Sequence, residues 1–104
     1  MKELSPETFK TELATSKIAL VDFFATWCPP CKLLKTQLEP LADEMKDLLN
    51  FYTFNIDESE ELTDEFAVSS VPTLIIFKGG IEHSRQVGAL PKQALKQWIE
   101  KALA

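Results

Sequence analysis

Cys28 and Cys31 are the only cysteines of the chain, and two prolines separate them in the run Trp27-Cys28-Pro29-Pro30-Cys31. With that spacing on a helix, one sulfur can reach back a single turn to attack a mixed disulfide held on the other. The reactive species is the thiolate, which is favoured where unpaired backbone N–H groups and the helix macrodipole face the sulfur. The pair directly follows an apolar run and directly precedes a helical pattern, so Cys28 is expected at such a helix N-terminus. An exposed nucleophile at Cys28 and a covered resolving thiol at Cys31 are the expected division of labour.

Two other uses of the pair are weaker. A structural zinc site takes four ligands, and beyond the cysteines the chain offers only His83 and carboxylates, with His83 set between charged and polar neighbours. A purely structural disulfide closing so short a loop removes little chain entropy. Redox chemistry is the reading that uses both the spacing and the context.

The elements that must hold the pair can be read from the pattern. Ile18 to Ala25 is apolar at both parities apart from Asp22, as in a central strand covered on both faces. After Cys31, the set Leu34, Leu38, Leu41, Ala42, Met45 and Leu48 keeps helical spacing for about four turns. Pro40 lies within it and predicts a kink rather than two helices. Upstream, Ser5 caps a helix near 6 to 15, with Leu4 and Phe9 as a hydrophobic staple. Downstream come a strand over Phe51 to Ile56 and a short helix capped by Ser59 that carries Leu62 and Phe66. Strands Thr73 to Lys78 and Ile81 to Val87 join through Gly79-Gly80 as a hairpin, and Leu95, Trp98, Ile99, Ala102 and Leu103 form one stripe of a final helix that begins at about Pro91. The order is α, β, α, β, α, β, β, α.

Composition narrows the class. A chain of 104 residues, 45% hydrophobic and without repeat or linker, reads as one domain over 1–104. A net charge of −5 argues against a phosphate-binding surface, so no nucleic-acid partner is expected. No apolar run approaches a membrane span and the start lacks a signal-like core, so no membrane association and a cytoplasmic location are expected.

Three segments, VDFFATWCPPCK, VSSVPTLIIFKGG and VGAL, resemble the corresponding stretches of the thioredoxin family in the same order, and the likeness covers essentially the whole chain. It implies an α/β thioredoxin fold: a mixed four- or five-stranded sheet flanked by helices on both faces, with residues 1 to 4 as a short edge strand. It implies Cys28 as the attacking cysteine, Cys31 as the resolving one, Asp22 as a buried carboxylate taking the Cys31 proton, and Pro72 as a cis-proline opposite the disulfide. Burial of an unpaired Asp22 among Leu20, Val21, Phe23 and Phe24 should raise its pKa toward the range of a general base. Trp27, Pro29, Pro30, Val71, Pro72 and Ala89 would surround the disulfide as a groove for extended protein segments, with the Val71 backbone pairing in strand fashion. Trp27 has core packing as its competing role. Gly88 would permit either close backbone approach or a simple break of the strand.

The chain departs from the family pattern at four positions. Pro29 replaces the usual glycine and removes an N–H near Cys28, which should raise the thiol pKa and keep the pair reducing. Thr53 replaces a lysine near the buried carboxylate, which should raise the Asp22 pKa further. Pro40 carries the proline usually found at the position of Thr36, and Phe24 stands where tryptophan is common.

The resulting expectation is a dithiol reductant of protein disulfides. It has no bound cofactor beyond the Cys28–Cys31 disulfide, acts as a monomer on client proteins, and is recycled by a separate flavoenzyme, a thioredoxin reductase. The absence of G-x-G-x-x-G leaves the chain without the Rossmann device for a dinucleotide. The alternatives are a disulfide oxidant or isomerase, and a redox-independent binding module. Six acidic residues between Asp57 and Glu65 read as a solvated helix face that could bias partner choice.

Overall fold

A computed structural model describes all 104 residues. Its elements are β1 (Lys2–Glu3), α1 (Phe9–Thr15), β2 (Ile18–Phe24), α2 (Pro29–Glu44), β3 (Asn50–Asn55), α3 (Glu60–Glu65), β4 (Thr73–Lys78), β5 (Ile81–Val87) and α4 (Lys92–Leu103). The strands form one sheet in the order β1-β3-β2-β4-β5. β1 and β2 run parallel to β3, β4 is antiparallel to β2, and β5 is antiparallel to β4. β2 therefore lies at the centre, which is why its apolar residues occupy both parities.

Alternation along the strands sorts the core into two layers. Val21, Phe23, Phe54, Ile75 and Phe77 pack on one face against Phe9 and Leu13 of α1 and Leu62 of α3. Leu20, Phe51, Leu74 and Ile76 pack on the other against Leu34, Leu38 and Leu41 of α2 and Leu95 and Ile99 of α4. Asp22 shares the parity of Leu20 and so faces the α2 layer.

Several expected boundaries move. Ser5 does cap, in the reciprocal manner of a capping box: its N–H donates to Thr8 Oγ1 at 3.1 Å and its Oγ accepts the Thr8 N–H at 3.2 Å. The Ser5 carbonyl accepts the N–H of both Thr8 and Phe9, at 3.2 and 3.0 Å, and the continuous α-helix starts at Phe9. Leu4 and Phe9 are both buried in one cluster, as a staple requires. α2 begins at Pro29 and passes through Pro40 as one helix, but it ends at Glu44. Helical spacing fails beyond that point: Leu48 is 59% exposed, and Leu49 is the residue that turns into the aliphatic layer. β3 starts and stops one residue early, and Ile56 opens a short 3-10 turn. Ser59 caps α3 by accepting the Leu62 N–H at 3.1 Å. The hairpin carries a bulge between Ile76 and Phe77, whose partners are Ser84 and Glu82, so exposed His83 falls out of register between them.

Candidate active site

After the turn that follows β2, Cys28 takes an extended conformation and caps α2, while Pro29 and Pro30 take the first two helical positions. There the fixed φ of proline suits the helix and its missing N–H removes only a donor that has no helical acceptor. The first amide available is that of Cys31, and it donates to Cys28 Sγ at 3.2 Å. The two cysteines are joined as a disulfide with Cα atoms 5.3 Å apart, an ordinary span for the bond. Their exposures are nearly equal, 4% for Cys28 and 3% for Cys31, which corrects the expected contrast between an open and a covered thiol. In this disulfide state the Val71 carbonyl oxygen lies 3.8 Å from the Cys28 sulfur. A disulfide sulfur carries no proton, so that approach is a van der Waals contact rather than a hydrogen bond.

The opposing wall is the turn into β4. The Val71–Pro72 peptide is cis. The Pro72 carbonyl accepts the Gly88 N–H at 2.9 Å, which fastens the end of β5 to this turn. Gly88 has φ of +92°, and a Cβ there would meet nothing within 4 Å. That left-handed backbone favours glycine whatever the space around it. Ala89 is exposed and lies with Leu33 and Gln37 of α2 on a notch of about 290 Å³. Arg85 of β5 donates to the carbonyls of Phe66 and Ala67, pinning the loop that leads to Val71.

Trp27 is 65% exposed, which excludes core packing. Its Nε1–H donates to Asp57 Oδ2 at 3.0 Å. Asp57 had no mark in the sequence beyond membership of an acidic run. The available signal was topological: Trp27 and Asp57 follow the C-terminal ends of adjacent parallel strands, so their loops share one edge of the sheet.

Beneath the disulfide, Asp22 is 2% exposed and in register with Thr53 on one side and Leu74 on the other. Its Oδ1 has no hydrogen-bond partner. Burial pushes its pKa up to about 7, against the pull of the Lys35 ammonium. Asp22, Thr53, Cys31 and Lys35 line one cavity of about 220 Å³ between the sheet and α2. Lys35 escaped the sequence reading, although it stands one helical turn beyond Cys31. No three His, Cys, Asp or Glu side chains come together as a metal site.

A reactive pair at a helix N-terminus, a cis-proline opposite it and a buried carboxyl below it stand together on this sheet, and the Thioredoxin family profile matches residues 1–101. The chain belongs to the thioredoxin family. A thioredoxin of Acidithiobacillus ferridurans is 42% identical over 101 residues, covering 96% of this chain and 94% of its own. Thioredoxin-2 of Saccharomyces cerevisiae is 44% identical over 96 residues, covering 91% and 90%. A solved structure of Plasmodium falciparum thioredoxin superposes with a TM-score of 0.90 at 32% identity, covering 97% of this chain and 98% of that one. Thioredoxins are protein disulfide oxidoreductases, and this one is a thiol-disulfide reductase. It acts on disulfide-containing client proteins and depends on a reductase partner.

Proposed function

We propose that Cys28 is the attacking cysteine, Cys31 the resolving one and Asp22 the acceptor of the Cys31 proton. The supporting observation is Cys28 capping α2 with the Cys31 N–H on its sulfur, while Cys31 lines the cavity of Asp22. In the reduced protein the Cys28 thiolate attacks one sulfur of a client disulfide. A Cys28–client bond forms, the client S–S bond breaks, and the departing client sulfur takes up a proton. Asp22 then accepts the proton of Cys31, and the Cys31 thiolate attacks Cys28. The Cys28–Cys31 bond forms as the second client sulfur leaves, so two electrons pass from the dithiol to the client.

The client lies across Val71 and Pro72 as an extended segment, with Trp27, Pro29, Pro30, Gly88 and Ala89 as the rim. Hydride-derived electrons come from a separate flavoenzyme, because the chain's three glycines form no dinucleotide fingerprint. The working unit is a monomer.

A Cys31→Ser variant mixed with a disulfide-bonded test protein should accumulate a covalent adduct on Cys28, visible by mass spectrometry, and Cys28→Ser should give none. The reverse pattern, an adduct held on Cys31, would overturn the assignment. The direction of electron flow is read from the reduction potential. A value near about −270 mV, characteristic of thioredoxin itself, is expected; one nearer about −180 to −120 mV would assign oxidation or isomerisation instead.

A further inference from the structure

We infer that Lys35 is a positioning residue for the proton step, setting the charge state of Asp22 from the mouth of the cavity they share. This rests on Asp22 being the proton acceptor. The sheet offers the carboxylate nothing: its in-register neighbours Thr53 and Leu74 carry no charge, and Oδ1 is unpartnered. Any charge that favours the ionised form must therefore act through the cavity. The charged side chains there are Glu3 from β1 and Lys32 and Lys35 from α2.

Helical geometry separates the two lysines. Cys31, Leu34 and Leu38 form the buried stripe of α2. At about 100° per residue, Lys35 is about 40° from Cys31 around the axis, whereas Lys32 is about 100° away. Lys35 can thus run its stem along the cavity wall while its ammonium stays in water. A cation so placed on the wall of the cavity that Asp22 lines favours the carboxylate. Glu3 opposes it from the far wall. The directions agree: burial drives the Asp22 pKa up and Lys35 draws it down. Without Lys35, more Asp22 stays protonated at neutral pH and fewer molecules can take the Cys31 proton.

The test is the Asp22 carboxyl titration, followed by NMR in the disulfide form, where no thiol titrates. Lys35→Met should raise the Asp22 pKa by a few tenths of a pH unit at low salt, the size expected of a screened surface charge. Lys35→Arg should hold the parental value, and Lys32→Met should move it less than Lys35→Met does. Adding Thr53→Lys to Lys35→Met returns the charge from the sheet side and should bring the pKa back down. In client reduction, the rising limb of the pH–rate profile should move to higher pH with the NMR midpoint in Lys35→Met. An unmoved titration overturns the inference, as does a moved titration with an unmoved rate limb. Failure of the underlying reading has a different signature: Asp22→Asn would keep the parental pH–rate limb.

Discussion

Two buried polar sites on opposite faces of the sheet are furnished in opposite ways. On the α1 side, the Tyr52 hydroxyl lies 2.9 Å from Ser16 Oγ and donates to Glu12 Oε2 at 3.2 Å, and Asn50 Nδ2 donates to Ser16 Oγ at 3.0 Å. On the α2 side, Asp22 is as deeply buried as Tyr52, yet its Oδ1 has no partner. The first site ties α1 to β3 with every hydroxyl engaged, so it contributes to stability and has no reason to change state. The second holds a carboxyl at a pKa of about 7, where a proton can be taken up or released at neutral pH. A buried polar group left unpaired is costly, and here that cost accompanies a buried carboxyl that shares a cavity with Cys31.

The largest expected effect comes from removing the charge of Asp22. Its pKa rises from 3.8 unfolded to about 7 folded, so between those values the folded protein binds more protons than the unfolded chain. Stability therefore falls as pH rises from about 4 to about 7 and stays low above that. At about 1.4 kcal/mol per pH unit, the ionised form is disfavoured by at most about 4 kcal/mol. Asp22→Asn, which resembles the protonated acid, should match the parent at pH 4 and exceed it at pH 8 by up to that amount in denaturant unfolding of the disulfide form. It should also reduce client disulfides more slowly at pH 7. Equal stability at pH 8 would end the contrast between the two sites.

Tyr52→Phe probes the other site and should act in the opposite sense. Loss of the hydroxyl removes two hydrogen bonds and costs about 1–2 kcal/mol, with no pH dependence between 6 and 9 and no change in reductase activity. A fall in activity at full folding would mean that this network also serves the chemistry.

The Cys28 sulfur stands between these extremes, with one donor, the Cys31 N–H. Pro29→Gly adds an amide at the first helical position. The amides that normally reach a cap side chain are those of the second and third positions, so the gain is indirect. The variant's Cys28 thiol pKa, read from the pH dependence of alkylation, should fall by only a few tenths of a pH unit, and a rise would contradict the role given to Pro29.

Local chemistry and hydrophobic periodicity made much of the molecule readable from residues alone. The both-faced apolar run of Ile18 to Ala25 announced the central strand, Gly79-Gly80 the hairpin, Ser59 the cap of α3, and the cysteine spacing the redox pair. Each is encoded within one turn or one strand, where sterics and burial act on neighbours in sequence. The resemblance to a family added the cis peptide at Pro72 and the edge strand β1, which residue patterns did not require. Other features were decided only in three dimensions. Leu49 replaces Leu48 in the core because α2 stops at Glu44. Trp27 meets Asp57 across two strand ends, Arg85 reaches the carbonyls of Phe66 and Ala67, and Lys35 comes to share a cavity with Asp22. These contacts join residues on different elements, and side-chain type and spacing along one element carry no information about which distant element will pack beside it.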